Sequence, residues 1–308
     1  MKKVMVLMST YNGQKYLKEQ LDSILSQEGV ETYLLVRDDG SKDETSAILD
    51  EYARQYTNVE IIKGKNIGFA QSFMTLVYSG SEYENIDYYA FSDQDDVWMK
   101  DKLISATNMA EKVKTENGIV LYFSSARAVD SDLNYIFDFA KYEKYEYSKA
   151  SSLVRCYMLG CTMVFSKETV RFLTSHKPVR EIEMHDLWIN QTCAFFGKIV
   201  YDRIPHILYR QHGNNAAGVS KALKVRIQRQ IKSFRKYSRR HFRELNARCF
   251  YDTYKNILSE EDKDIVSTVA FYRQSLKSRW KFFSSHTHVM GVRSSDIVLK
   301  IRILFGFA

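Results

Sequence analysis

Proline and cysteine are scarce in this 308-residue sequence, which contains two prolines and four cysteines. The cysteines form no C-x-x-C pair, so the pattern argues against a zinc ribbon and a disulfide framework and favours a reducing compartment. The composition, with 45% hydrophobic and 27% charged residues, also excludes disordered, collagen-like and proline-rich linker chains. These values predict a globular protein of one large domain, or of one domain with an appendage.

Long apolar runs are also absent. The apolar residues 4–8 are too few for the hydrophobic core of a signal peptide, and the run at 297–308 is interrupted by Lys300 and Arg302. No stretch reaches the roughly 18 apolar residues of a membrane-spanning helix. The sequence therefore predicts a protein that is made and kept in the cytoplasm.

Two common phosphate-binding signatures, G-x-G-x-x-G and G-x-x-x-x-G-K-[ST], do not occur. Rossmann-type dinucleotide binding and P-loop nucleotide hydrolysis both depend on these glycine-rich loops to hold phosphates. A phosphate-containing ligand would have to be held in another way, for example by a metal ion that bridges its diphosphate.

Basic residues are concentrated in one segment. Residues 1–220 contain 25 Lys/Arg and 30 Asp/Glu, whereas residues 221–248 contain 11 Lys/Arg and a single acid. Apolar residues recur in this segment at intervals of three or four, as in an amphipathic helix. Such a helix suits an anionic membrane surface better than a nucleic acid. We therefore predict peripheral attachment to the inner face of the plasma membrane and no nucleic-acid partner.

Short β-rich runs alternate with helical patterns over the first 125 residues, which predicts an α/β fold with a mostly parallel sheet and helices on both faces. The tyrosine-rich residues 126–158 are predicted to form a mobile loop or lid, and a strand pair is predicted around residues 198–210. From residue 221 the pattern is helical, which predicts a C-terminal helical extension. Ligands of such sheets bind at the carboxyl ends of the strands.

Polar clusters follow three of the predicted strands, at residues 9–13, 37–41 and 93–96. Asp93 and Asp95 lie two positions apart, so a turn there would present carboxylates to one divalent cation, Mg²⁺ or Mn²⁺. One alternative is a solvated acidic turn in which Asp96 caps the following helix. Another is a phosphohydrolase, because residues 93–97 also fit a D-x-D-x-[TV] motif.

Seven short motifs resemble those of the family 2 glycosyltransferases, which have the GT-A fold. The resemblance covers about residues 1–215. Four motifs match the family in general, namely residues 9–13, 37–45, 66–69 and 92–98. Three more, at residues 160–165, 185–188 and 209–215, resemble the bacterial rhamnosyltransferase branch that builds cell-surface polysaccharide.

The resemblance implies a role for each matching residue. Asp186 would be the catalytic base that activates the acceptor hydroxyl. His185, which stands where the family often has an acid, and Trp188 would contact the acceptor, although Trp188 fits a core position equally well. The residues implied in metal binding are Asp93, Asp95 and His212. Those implied in donor binding are Thr10, Tyr11, Asn12, Asp38, Asp39, Asn66, Gly68 and Asp93.

The implied reaction is metal-dependent transfer of a sugar from a nucleotide-sugar donor, with Mn²⁺ or Mg²⁺ as cofactor. A single base-assisted displacement would invert the anomeric carbon. The implied donor is dTDP-L-rhamnose, with a UDP-hexose as the alternative, and the acceptor is a lipid-linked glycan. The catalytic domain would span residues 1–215, with a nucleotide-sugar half at about 1–125 and an acceptor half at about 126–215. Residues 216–308 would form a basic helical region that associates with the membrane surface. The oligomeric state is left open.

Overall fold

One mixed sheet organises the first part of the chain. The computed structural model describes residues 1–139, 148–156, 158–211, 241–291 and 293–308, and within them the strands form a single nine-stranded sheet. The strands are β1 (Lys2–Thr10), β2 (Val30–Asp38), β3 (Val59–Lys63), β4 (Tyr88–Ser92), β5 (Val97–Trp98), β6 (Val120–Val129), β7 (Tyr135–Asp138), β8 (Met163–Ser166) and β9 (Lys198–Arg210).

Helices separate most of these strands and continue after the last. They are α1 (Leu17–Leu25), α2 (Thr45–Gln55), α3 (Phe69–Gly80), α4 (Lys102–Glu111), α5 (Lys149–Ser152), α6 (Lys167–Ser175), α7 (His185–Phe196), α8 (Phe242–Tyr254), α9 (Glu260–Ala270), α10 (Leu276–Ser284) and α11 (Arg293–Leu304).

The strand order is β3-β2-β1-β4-β8-β6-β9-β5, with β7 paired to β6. The four longest pairings, β1 with β2 and β4, β2 with β3, and β6 with β9, are parallel. The antiparallel pairings of β5, β7 and β8 are shorter. This confirms the predicted α/β fold with a mostly parallel sheet.

Side chains of β1 alternate between the two faces of the sheet. Val4, Val6 and Met8 join a core cluster with residues of α1, α2 and α4. Met5 and Leu7 point to the other face, where they lie against the C-terminal end of α3. Helices therefore cover both faces, as the sequence predicts.

Two expectations about the later strands are wrong. Residues 126–158 are not a single loop, because β6 extends to Val129 and β7 and α5 lie in the same stretch. Residues 198–210 form one long strand and not a strand pair. In the sequence, Pro205 suggests that the strand is interrupted there. In the structure the register between β6 and β9 shifts around Ser125 and Pro205, so the strand accommodates the proline at an irregularity.

The described residues fall into two compact units. The first contains the sheet and comprises residues 1–139, 158–175 and 183–211. The second comprises residues 148–156, 176–182, 241–291 and 293–308, in which α8 packs on α9 and α10 packs on α11. The second unit is helical, which confirms the predicted C-terminal helical region.

Residues 212–240 lie outside the described residues, and with them His212 and most of the basic segment 221–248. Only residues 241–248 of that segment are described, at the start of α8. Within the described part of the chain, none of the helices has the length and hydrophobicity needed to cross a bilayer.

Candidate active site

The carboxyl ends of β1, β2 and β4 lie side by side and bring the three polar clusters together. Thr10, the last residue of β1, pairs in register with Asp38, and Met8 pairs with Ser92, the last residue of β4. Just beyond the strand ends, the Asp39 amide donates to the Thr10 carbonyl oxygen at 2.8 Å. The polar clusters therefore meet at one edge of the sheet, where the parallel strands end.

Hydrogen bonds join the loops that follow these strands. The Tyr11 amide donates to Gln94 Oε1 at 2.8 Å, and Gln94 Nε2 donates to the Tyr11 carbonyl at 3.2 Å. The Asn12 amide donates to Ser41 Oγ at 2.9 Å. Asp38 accepts from the Ser41 amide at 3.0 Å and from its hydroxyl at 2.6 Å. These contacts hold the loops after β1, β2 and β4 together.

Asp39 is buried and holds the loop that follows β3. Its carboxylate forms an ion pair with Arg37, which is also buried. It accepts from the Ile67 amide at 3.0 Å and from the Gly68 amide at 3.1 Å. A buried carboxylate with this many donors is well compensated for its loss of water. Asp39 therefore sets the position of residues 66–68.

An exposed aromatic and aliphatic surface lies on the loops of the same strand ends. Tyr11 is 43% exposed and Phe69 is 58% exposed, and Ile67 is exposed as well. Gly68 has a φ of 83°, and no atom lies within 4 Å of the position that a Cβ would take. The region in front of Gly68 is therefore open, and its backbone conformation favours glycine.

Four carboxylates influence one another after β4. Burial, with the negative charges of Asp95 and Asp186, raises the pKa of Asp93 to about 7. Asp96 is fully buried, and burial raises its pKa as well. Asp96 Oδ1 accepts from the Arg210 amide at 3.0 Å, but Oδ2 has no hydrogen-bond partner among the described residues. Since α4 begins only at residue 102, Asp96 does not cap it.

Asp93, Asp96 and Cys161 form a compact group. One ligand atom from each lies within 4.8 Å of the other two. Burial raises the pKa of the Cys161 thiol, so the thiol stays protonated and is not a ligand for a hard cation. Lys102 is buried beside this group, with Nζ 3.5 Å from the centroid of the Trp98 ring, and burial lowers its pKa to about 7.

Arg210, the last residue of β9, fixes the loop that carries the carboxylates. Its side chain is buried, donates through Nε to the Asp95 carbonyl at 2.9 Å and donates through Nη1 to the Ser131 carbonyl. It forms an ion pair with Glu19 and lies 4.3 Å from the centroid of the Tyr16 ring. The five donors of the planar guanidinium allow these contacts at the same time.

We expect Arg210→Met to lower the free energy of unfolding by about 2–4 kcal/mol, because it removes a buried guanidinium that donates to two backbone carbonyls and pairs with Glu19. Urea denaturation checks this value. Arg127→Met is the matched control, since Arg127 forms an ion pair with Asp138 in which the side chains are 39% and 42% exposed, and its loss should cost below about 1 kcal/mol. Equal losses in the two variants would contradict a structural role for Arg210.

Asp186 lies in the first turn of α7. Its Oδ1 accepts from the Leu187 amide at 2.7 Å, and burial raises its pKa to about 6. Its negative charge is one cause of the raised pKa of Asp93, so the two carboxylates belong to one electrostatic site. A carboxylate with a pKa near neutrality is suited to accept a proton.

His185 packs in an aromatic pocket next to Asp186. Its ring stacks on Phe73, with 4.0 Å between centroids, and meets the edge of Phe91 at 4.8 Å. Burial lowers the pKa of His185 to about 3, so the ring is neutral. Neither ring nitrogen has a hydrogen-bond partner among the described residues. A Cβ on Gly160 would lie 3.1 Å from Nε2, which places residues 160–162 beside this ring.

The structure thus brings most of the predicted site residues to the carboxyl ends of β1, β2 and β4 and to the start of α7. Trp188 is fully buried, which favours its core alternative over contact with an acceptor. His212 lies outside the described residues. Sequence reasoning missed six residues that shape this site, namely Arg37, Gln94, Asp96, Cys161, Lys102 and Arg210. An arginine directly before two aspartates at a strand end was a usable signal for the first.

A family model and curated relatives match the chain. The model described as glycosyl transferase family 2 matches residues 5–169. The dTDP-rhamnosyl transferase RfbG of Shigella flexneri is 32% identical over 237 residues, which cover 72% of this chain and 77% of RfbG. The minor teichoic acid biosynthesis protein GgaB of Bacillus subtilis is 27% identical over 71% of this chain, but this chain spans only 24% of GgaB.

Solved structures share the fold. Residues 1–349 of TarS from S. aureus, in complex with UDP-GlcNAc, superpose with a TM-score of 0.58 at 14% identity. The superposition covers 98% of this chain and 90% of the TarS chain. At this identity the likeness concerns the fold alone.

Proposed function

The chain belongs to glycosyl transferase family 2 and is a glycosyltransferase, and from that premise we propose that it transfers L-rhamnose from dTDP-L-rhamnose to a glycan. We propose that the transfer is metal-dependent and inverts the anomeric carbon. The observation that carries the mechanism is the convergence of Asp93, Asp95 and Asp96 with Asp186 at the carboxyl ends of the parallel strands. The family favours glycosyl transfer over the phosphohydrolase alternative.

The donor side of the proposal rests on the pocket at the ends of β1 and β2. The buried Thr10 hydroxyl has no hydrogen-bond partner among the described residues, and the exposed Tyr11 ring follows it in sequence. An aromatic face beside an unpaired polar group suits a nucleobase and its ribose. Asp38 and Asp39 would act by holding the loops of this pocket, since their carboxylates already accept several hydrogen bonds.

A divalent cation fits the carboxylate group after β4. Asp96 has an unpaired carboxylate oxygen, and burial together with neighbouring negative charges raises the pKa of Asp93; a cation would relieve both. We propose that Asp93 and Asp95 hold Mn²⁺ or Mg²⁺. In the alternative arrangement Asp96 takes the place of Asp95 as the second ligand, and Asp95 contacts the donor. The cation would neutralise the charge that develops on the diphosphate leaving group.

The base in this proposal is Asp186. It lies at the start of α7 beside the carboxylate group, and its raised pKa lets it take the proton of an acceptor hydroxyl. His185 is neutral and buried against Phe73 and Phe91, so we propose that it supports the position of Asp186 and does not contact the acceptor. We propose a cell-surface glycan as the acceptor, in keeping with the rhamnosyltransferase branch and with the relative named for teichoic acid synthesis.

Donor selection tests the proposal. With Mn²⁺ present, we expect dTDP-L-rhamnose to be hydrolysed or transferred with a kcat/KM at least about tenfold above that of UDP-GlcNAc, because a site that recognises the nucleotide and the sugar hydroxyls discriminates against mismatched groups. Release of the nucleoside diphosphate, measured for each donor at equal concentration, gives the ratio.

Faster turnover of a UDP-hexose would show that the rhamnose assignment is wrong, and the mechanism would then apply to the alternative donor. Release of phosphate from simple phosphate esters, without sugar transfer, would instead favour the phosphohydrolase.

A further inference from the structure

The second unit presents an apolar surface to solvent on α10 and α11. Trp280 is 63% exposed and Phe305, just beyond α11, is 68% exposed. We call this surface the C-terminal apolar face. Its residues are Leu276, Trp280, Ile297, Val298, Ile301, Leu304 and Phe305, and each is exposed.

The orientation of α11 makes this surface unusual. Ile297, Ile301 and Leu304 follow the spacing of one helical stripe, and that stripe points to water. The opposite side buries Leu299 and Ile303 together with the cationic Arg302. The helix is therefore apolar on two sides and buries only one of them, and contiguous exposed apolar residues of this kind mark an interaction site.

Contacts between the two helices hold the surface together. Within α10, the Trp280 ring stacks on Phe283, with 5.3 Å between centroids. Lys300 Nζ lies 5.6 Å from the centroid of the same Phe283 ring. Arg279 Nη1 donates to the Leu304 carbonyl at 3.3 Å. The exposed residues of α10 and α11 therefore form one surface.

This surface is strongly cationic. Residues 276–308 contain one Asp and six Lys/Arg, and all of these cations except Arg302 lie outside the buried side. Lys281 forms an ion pair with Asp264, whereas Lys277, Arg293 and Lys300 form no ion pair with any described residue. Cations that border an exposed apolar stripe are the arrangement of helices that lie in the interface of an anionic bilayer.

We propose that the C-terminal apolar face docks on an anionic lipid bilayer, with Trp280 at the level of the headgroups. Tryptophan suits this position because its ring is apolar and its N–H is polar. A second copy of the chain is a poorer occupant, because an isologous contact would bring the same cations of both copies together. The face lies within residues 216–308, the region predicted from sequence to associate with the membrane surface, but it does not overlap the basic segment 221–248.

The protein contains its own probe for this proposal. Of its three tryptophans, Trp98 and Trp188 are buried and Trp280 is exposed. We expect the fluorescence of the full chain to shift to shorter wavelength when phosphatidylcholine vesicles that contain phosphatidylglycerol are added. Vesicles of phosphatidylcholine alone should give a smaller shift, and added salt should weaken binding to the anionic vesicles.

Substitutions locate the surface. The double variant Ile301→Asn, Phe305→Ser is expected to lose at least about tenfold in partition to anionic vesicles, because each change removes apolar area that would enter the bilayer. Both side chains are exposed, so the helical unit should stay folded. Ile257→Asn, at another exposed apolar residue of the same unit, is the matched control and should bind normally.

Three outcomes would overturn the proposal. One is a fluorescence shift that grows with protein concentration without vesicles, which would identify a second copy as the occupant. Another is full vesicle binding by the double variant. The last is loss of binding only when Arg235, Lys236, Arg239 and Arg240 are replaced with Gln. Transfer to a soluble acceptor should be unchanged in the double variant, so failure of the docking proposal is distinct from failure of the proposed function.

Discussion

Asp95→Asn is expected to abolish sugar transfer, with kcat at least about 10³-fold lower, while the fold stays intact. The substitution keeps the size of the side chain and removes a negative charge that a divalent cation requires. Loss of the cation removes several kcal/mol of stabilisation from the leaving diphosphate, which corresponds to this factor. Turnover of the donor with and without added Mn²⁺ measures the effect.

Two controls define this result. Asp132→Asn changes an exposed carboxylate of the same unit and should leave turnover unchanged. Asp96→Asn tests which carboxylate is the second metal ligand, because Asp96, and not Asp95, groups with Asp93 and Cys161. Turnover that survives this change but not Asp95→Asn identifies Asp95 as the ligand. If a chelator leaves the turnover of the unsubstituted protein unchanged, the metal dependence is wrong.

Asp186→Asn is expected to lower kcat by at least ~10²-fold with little change in donor affinity, as for the loss of a positioned general base. The carboxylate is replaced by an amide, which cannot accept a proton from the acceptor hydroxyl near neutral pH. Single-turnover rates and donor binding by calorimetry separate the two quantities. Parallel losses of donor binding and turnover would instead indicate that Asp186 holds the start of α7 in place.

The pH dependence of the unsubstituted protein is the second measure of the same residue. A base must be ionised to act, and burial raises the pKa of Asp186 to about 6. The rate of sugar transfer should therefore be low below about pH 6 and should increase as the pH rises through that value. The residual rate of the Asp186→Asn variant should lack that rise.

The fold of the first 125 residues could be predicted because its strands are short apolar runs of β-branched and aromatic residues between amphipathic helices. β4 lies within one residue of the predicted run 87–91, whereas β1 and β2 extend two residues further at each end than the apolar runs 4–8 and 32–36. β7 was not predicted, because its four residues lie in a polar, tyrosine-rich stretch. It is a strand because it pairs with β6, and that pairing depends on tertiary contacts. The continuity of β9 was missed because Pro205 normally argues against a strand interior.

Site residues that directly follow a strand could be predicted from the sequence. Site residues that are distant in sequence from the residues they contact could not. Thr10, Asp38 and Asp93 come directly after or at strand ends. Arg210 lies in the motif at residues 209–215, but its hydrogen bond to the Asp95 carbonyl spans 115 positions and cannot be inferred from the local sequence. Lys102 likewise reads as one more charged residue at a helix start, although its ammonium is buried over Trp98.

The burial of His185 bears on how the pH dependence of this protein is interpreted. Because burial keeps the imidazole neutral, its protonation does not change over the physiological pH range, unlike that of most histidines. The ring therefore adds no positive charge beside Asp186 near neutral pH. A change of rate in that range would then report the ionisation of the nearby carboxylates and not of the histidine that precedes Asp186.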